Sequence, residues 1–181
     1  MTTTLDQTVR DALALFESEV PAFPALPFTH PLVIGSGNAF EVGKILFRDT
    51  AAYFASETDY LRVLDLYEPD GAVLISASGS KHATGIAEAL TARGVRTVLL
   101  THTKDSPASA PLRPEDVYVF TKRPEPYTYN TSTYFGLVAA HERTNGASVL
   151  QFLDALHDSV GDVAASAYTL VVPSEYALAV P

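Results

Sequence analysis

The 181-residue chain is 47% hydrophobic and 18% charged, carries a net charge of −9 and has no cysteine. That acidity argues against a nucleic-acid or acidic-membrane partner, since both need basic patches, and the missing thiols exclude disulfides, thiolate metal sites and cysteine nucleophiles. The length is enough for one domain with a proper core, and the low charged fraction implies extensive buried surface, including surface between subunits.

The N-terminal MTTTLDQTVRDALALF has no basic region followed by an apolar core, so it does not read as a signal peptide. No apolar run approaches the ~18 residues of a membrane span. A cytoplasmic protein with no membrane partner is the expectation. Leu5, Val9, Ala12, Leu13, Phe16 and Val20 recur at helical spacing, predicting a first helix from Leu5 to Val20 with Thr4 as N-cap and Pro21 as stop. Pro21 to Pro31 is an extended connector. Leu32 to Ile34 predicts a short strand, Gly35-Ser36-Gly37-Asn38 a turn, and the following residues a helix through Thr50. This is not the dinucleotide fingerprint, because the position three after Gly37 is Phe40. A G-x-G alone reads equally as a tight turn or as backbone approaching a ligand.

Tyr53 to Ala55 predicts a second strand, and Ser56-Glu57-Thr58-Asp59 a cap for a helix carrying Tyr60, Leu61, Val63, Leu64 and Tyr67. After the Pro69-Asp70-Gly71 turn, Ala72 to Ile75 is a third strand, and Ala83 to Leu90 a helix that ends at Arg93-Gly94. Between them lie Ser76, Ser78, Gly79, Ser80, Lys81 and His82. A strand, a small polar turn and a helix N-terminus offer unpaired N–H groups and the positive end of a helix dipole, which suits an anion. Three serines and a cation around one glycine exceed what capping needs. Lys81 is unfavourable beside a helix N-terminus unless an anion is bound there. The turn is therefore read as the holder of a ligand phosphate.

Val95 to Leu100 and Asp116 to Thr121 predict strands four and five, separated by a polar, proline-rich loop. A long helix is expected from Tyr129 or Asn130 to about Arg143, a turn at Asn145-Gly146, an amphipathic helix from Ala147 to Val160, and a strand-like run from Ala167 to Val172. Short apolar strands alternating with helices imply an α/β fold, namely a three-layer α/β/α open, doubly wound, five-stranded parallel sheet. In such sheets ligands lie at the carboxyl ends of the strands, where all the polar turns fall. The organisation expected is an N-terminal helix and connector (1–30), a core (31–146) and a C-terminal helix and strand (147–181).

Four pieces of the chain, in order, resemble the sugar isomerase (SIS) domain family. They are Ile34-Gly35-Ser36-Gly37, Ala55-Ser56-Glu57, the S-x-S-G signature at Ile75-Ser76-Ala77-Ser78-Gly79-Ser80, and Asp105-Ser106-Pro107-Ala108. Glu125 to Gly136 aligns with the family's Glu-then-Ser-Thr stretch. The resemblance implies a five-stranded parallel sheet, a homodimer or higher homo-oligomer, and a sugar phosphate held by Ser76, Ser78 and nearby amides. The binding set it suggests is Gly35, Ser36, Gly37, Asn38, Ser76, Ser78, Gly79, Ser80, Lys81 and Thr84. The family usually has Thr where this chain has Lys81; Thr84 is the substitute hydroxyl. Because many members carry a second such domain, the C-terminus is read either as an edge or cross-dimer strand or as the end of a shortened relative.

An aldose–ketose isomerase needs a base to move a proton between C1 and C2. Glu57, Glu125 and His82 are the favoured candidates, with His102, His141 and Glu142 behind them. The five histidines have no metal-ligand spacing and G-x-S-x-G is absent, so no metal, no cofactor and no serine hydrolase is expected. The alternative to an isomerase is a non-catalytic sugar-phosphate sensing domain.

Overall fold

Strands whose every side chain is apolar need cover on both faces, and the chain supplies it. The computed structural model describes residues 4–126 and 128–160. Its elements are α1 (Leu5–Ala14), β1 (Leu32–Gly35), α2 (Asn38–Leu46), β2 (Tyr53–Ser56), α3 (Tyr60–Tyr67), β3 (Ala72–Ile75), α4 (His82–Ala92), β4 (Thr97–Thr101), β5 (Val117–Val119), α5 (Thr131–Glu142) and α6 (Gly146–Val160). The five strands form one sheet in the order β2-β1-β3-β4-β5, and every pair is parallel. Alternate strand residues go to opposite faces. Leu32, Ile34, Leu74 and Leu99 pack with Val63 and Leu64 of α3 and Ile86, Ala87 and Leu90 of α4. Val33, Val73, Ile75, Val98 and Leu100 pack with Val42 and Leu46 of α2 and Leu137 and Ala140 of α5. This is the expected three-layer arrangement, and α1 packs against α5 and α6 outside it. No described helix is long and apolar enough to cross a membrane.

The element boundaries differ from the sequence expectation in several places. The first helix ends at Ala14, well before Pro21. The Phe16 carbonyl accepts the Gly146 N–H at 2.8 Å. Its ring is buried against Gly136, where an added Cβ would come within 2.9 Å. Tertiary docking thus outweighs the helical periodicity that continues to Val20. Thr4 is the N-cap residue, but its side chain makes no capping hydrogen bond. α2 stops at Leu46 because Thr50 turns back, its N–H and hydroxyl both donating to Phe47 O. Val95 belongs to the end of α4 instead of β4, since its N–H donates to Leu90 O at 3.0 Å. Asp59 precedes α3 as expected, yet its carboxylate faces backward and accepts the Ser56 N–H and hydroxyl, each at 2.6 Å. The expected strand at Ala167 to Val172 and the side chain of Tyr127 lie outside the described residues.

Two polar anchors fix the connector and the sheet. Asp70 accepts the Thr29 N–H, the Thr29 hydroxyl and the His30 N–H, fastening the proline-rich segment beside the start of β3. Asp116 is buried at the start of β5 and accepts hydrogen bonds from Arg96 and Arg113.

Candidate functional site

In the strand order 2-1-3-4-5 the chain leaves β1 and β3 in opposite directions, so a crevice opens between their carboxyl ends. A cavity of about 530 Å³ occupies this place. Gly35 and Ser36 reach it from β1, Glu57 from β2, Ser76, Ser78, Ser80, Lys81 and His82 from β3, His102 from β4, and Lys122 and Glu125 from the segment after β5. An adjoining cavity of about 490 Å³ shares Ser36, Ser76, Ser78 and Lys81 with it and is also lined by Gly37 and Asn38. The structure therefore brings together all three favoured proton-transfer candidates and most of the expected binding set. Gly79 and Thr84 line neither cavity. Gly79 shapes the turn from behind, and Thr84 lies within α4 with its N–H donating to Lys81 O.

The serine turn is held by its carbonyls, which leaves donors exposed to the cavity. Ala77 O accepts from the His102 N–H and the Thr101 hydroxyl. Gly79 O accepts from the Ala108 N–H at 2.9 Å. Gly79 has φ +59°, and a Cβ there would collide with Ser106 Oγ, so backbone conformation and packing both require glycine. The Ser78 and Ser80 hydroxyls lie 2.8 Å apart. Among the described residues, no acceptor takes the N–H groups of Ser78, Ser80 or Lys81. Successive free amides at a helix N-terminus form an anion-binding concavity. Lys81 caps α4, is exposed, and has no ion-pair partner among the described residues.

The two carboxylates of the cavity differ. Glu57 follows a turn tightened by the Ser56–Asp59 hydrogen bonds and makes no hydrogen bond or ion pair of its own among the described residues. Glu125 accepts the Thr131 N–H through both oxygens, at 3.0 and 3.1 Å, and so caps α5. The same loop is tied down by the Arg123 N–H donating to Ser132 Oγ at 2.7 Å, which carries Lys122 to the cavity. Burial, reinforced by the Glu125 charge, pushes the Tyr134 phenol up to about 12, so it stays neutral in the adjoining cavity. Burial, followed by the Lys122 charge, holds the His102 imidazole below its ordinary value. Lys122, Thr128 and Asn130 were not in the expected site; they are placed there by a loop whose path no local sequence pattern specifies. No cluster of potential metal ligands occurs among the described residues.

No protein-family model matches the chain, and no curated protein matches it. Solved structures do resemble it. One, a candidate sugar-phosphate isomerase from Listeria monocytogenes, is 18% identical with a TM-score of 0.48, covering 88% of this chain and 82% of the other. The sugar isomerase domain of an RpiR transcription factor from Sphaerobacter thermophilus is 18% identical with a TM-score of 0.45, covering 85% and 88%. An Escherichia coli CFT073 protein, solved in complex with a sugar phosphate, is 17% identical with a TM-score of 0.43, covering 88% and 82%. These structures include the kind of protein, the sugar isomerase domain, that the S-x-S-G turn and its neighbouring segments resemble in sequence.

Proposed function

We propose that this protein binds a sugar phosphate in the crevice between β1 and β3 and interconverts its aldose and ketose forms. The observation that carries the reading is the serine turn, where free amides, two adjacent hydroxyls and an unpaired lysine converge on one cavity that also holds Glu57, His82, His102 and Glu125. The phosphate lies against Ser76, Ser78, Ser80 and Lys81, and the sugar carbons extend toward the titratable groups. Gly35, Ser36, Gly37 and Asn38 border the same ligand from β1 and the start of α2. A homodimer fits the low charged fraction of the chain.

A second reading, binding without catalysis, is favoured by Glu125. Both of its oxygens are spent on the Thr131 N–H, which is a structural use of a candidate base. The two readings share the phosphate end and differ at the sugar end.

The test is a thermal-shift panel of pentose, hexose and amino-hexose phosphates against their unphosphorylated sugars. Phosphorylated members should raise Tm, and the sugars alone should not. Ser78→Ala combined with Lys81→Ala should abolish the shift, because each removes a separate contact to the anion. A shift that survives in the double variant places the phosphate elsewhere.

A further inference from the structure

His102 directly follows β4, and its backbone is tied to the serine turn. Its N–H donates to Ala77 O at 2.8 Å, and the preceding Thr101 hydroxyl donates to the same carbonyl at 2.9 Å. Ala77 lies between Ser76 and Ser78, so the imidazole has a fixed origin relative to the phosphate end of the cavity. On the ring, Nδ1 is 2.9 Å from Thr103 Oγ1. Thr103 is itself held by its N–H, which donates to Thr101 Oγ1 at 3.2 Å. The other ring nitrogen, Nε2, is buried and has no hydrogen-bond partner, although the residue lines the cavity. The Asn130 side chain approaches the ring without reaching hydrogen-bond geometry at that nitrogen. A buried polar atom without a partner is costly unless something else supplies one. One ring nitrogen oriented by a neighbour and the other left open toward a cavity is the arrangement of a proton-transfer group.

The other candidates are placed differently. Glu125 is engaged at both oxygens by the Thr131 N–H. His82 is exposed in the first turn of α4. Glu57 comes from β2, on the opposite side of the serine turn from β4.

We propose that His102 Nε2 moves the proton between C1 and C2 of an open-chain sugar phosphate, with Thr103 positioning the ring; this rests on the sugar-phosphate reading above. Nδ1–H donates to Thr103 Oγ1, which leaves the Nε2 lone pair for the ligand. Nε2 takes the C2 proton of the aldose. The C2–H bonding pair becomes the C1–C2 π bond, and the carbonyl pair moves onto O1, which is protonated by water. In the second half, the O2 proton passes to water and the C2 carbonyl forms. The C1–C2 π pair then takes the proton from Nε2–H at C1. The product is the ketose, and no oxidant or reductant is consumed. Burial first, and the Lys122 charge second, keep the imidazole neutral at pH 7 and able to accept the proton, while Asn130 and Glu125 oppose this more weakly. The Lys122 ammonium also faces the cavity, where negative charge on O1 develops.

The experiment pairs calorimetric binding with NMR of hydrogen exchange in D2O, using the full chain and the same panel of sugar phosphates. For a ligand that binds, the wild type should exchange the hydrogen at C2 for deuterium. His102→Gln should bind within about threefold of the wild type and lose exchange by about 10²-fold or more. His102→Asn guards against a folding defect peculiar to Gln and should behave alike. Thr103→Val should lower the exchange rate about tenfold and move the acidic limb of its pH profile, and Thr103→Ser should restore both. Exchange at the wild-type rate in folded His102→Gln or His102→Asn overturns the proposal. Binding by the wild type without exchange also overturns it and leaves the sugar-phosphate site standing. No binding by the wild type to any member removes that site and the proposal together.

Discussion

Lys81 combines two unfavourable features. Its φ of +53° and ψ of −119° lie where L side chains are rare, and it places a cation at the positive end of α4. The corresponding residue before α2 is Gly37, at φ +51° and ψ −126°, so the same turn geometry occurs there with the residue that tolerates it. Strain of this kind costs about 1–3 kcal/mol and gathers at ligand sites. Lys81→Gly should therefore raise Tm, by about 2–4 °C for each kcal/mol relieved in a chain of this size. The same variant should weaken sugar-phosphate binding through the lost charge. Lys81→Arg should keep the strain and most of the affinity. A scanning-calorimetry result in which Lys81→Gly lowers Tm while calorimetric affinity stays intact would mean that the lysine serves the fold and not the ligand. The misfit at Lys81 was legible in the sequence as a lysine where a hydroxyl is usual. The free Nε2 of His102 was not, because the burial that isolates it comes from chain segments distant in sequence.

At the scale of elements, β3 was legible to the residue, since Ala72 to Ile75 is apolar throughout and bounded by Gly71 and Ser76. The parallel sheet followed from the same logic, and with it the shared edge that carries the site. What local pattern did not give were the points where a distant partner decides the boundary. α1 ends early because Phe16 is claimed by Gly136 and Gly146, more than a hundred residues away. Asp116 is a further case. It reads as an ordinary polar residue at a strand start, yet it is 2% exposed and gathers Arg96 and Arg113. Burial would raise its carboxyl, but the two guanidinium hydrogen bonds outweigh burial and hold it below the usual carboxylate range. Arg96 enters β4 and Arg113 precedes β5, so the carboxylate joins the two strands at the edge opposite the site. Hydrogen bonds to charged partners contribute about 1.5–3 kcal/mol. Asp116→Asn should lose about 2 kcal/mol in chemical denaturation while leaving ligand affinity within about twofold, because the site lies at the other ends of the strands. A loss of affinity with unchanged stability would contradict this division between the two sheet edges.

For the whole molecule, these groups set how stability responds to acid. Asp59, Asp70 and Asp116 all lie below their ordinary value when folded. For Asp59 the first cause is the Ser56 hydroxyl, whereas for Asp70 and Asp116 hydrogen-bond donors overcome an opposing burial effect. Each contributes stability that is present above the unfolded value, 3.8, and lost as pH falls through the folded one. His102 acts in a higher window. Its folded value lies below 6.5, so the unfolded chain binds the proton more readily and stability falls as pH drops beneath 6.5 toward that folded value. Two losses are therefore expected on acidification, a first below pH 6.5 from the imidazole and a second below pH 3.8 from the aspartates. The net charge of −9 shrinks over the same range and relieves self-repulsion, which opposes the first loss in any single melting curve. Comparison with a variant cancels that background. Melting temperatures of the wild type and His102→Asn, measured from pH 7.5 to 5, should diverge progressively below pH 6.5, with the wild type falling relative to the variant. Parallel curves would mean that the folded chain protonates His102 as easily as the unfolded chain does. The imidazole would then be solvated rather than held dry beside Lys122, and the cavity at the carboxyl edge of the sheet would lack the neutral base that the proton-transfer proposal requires.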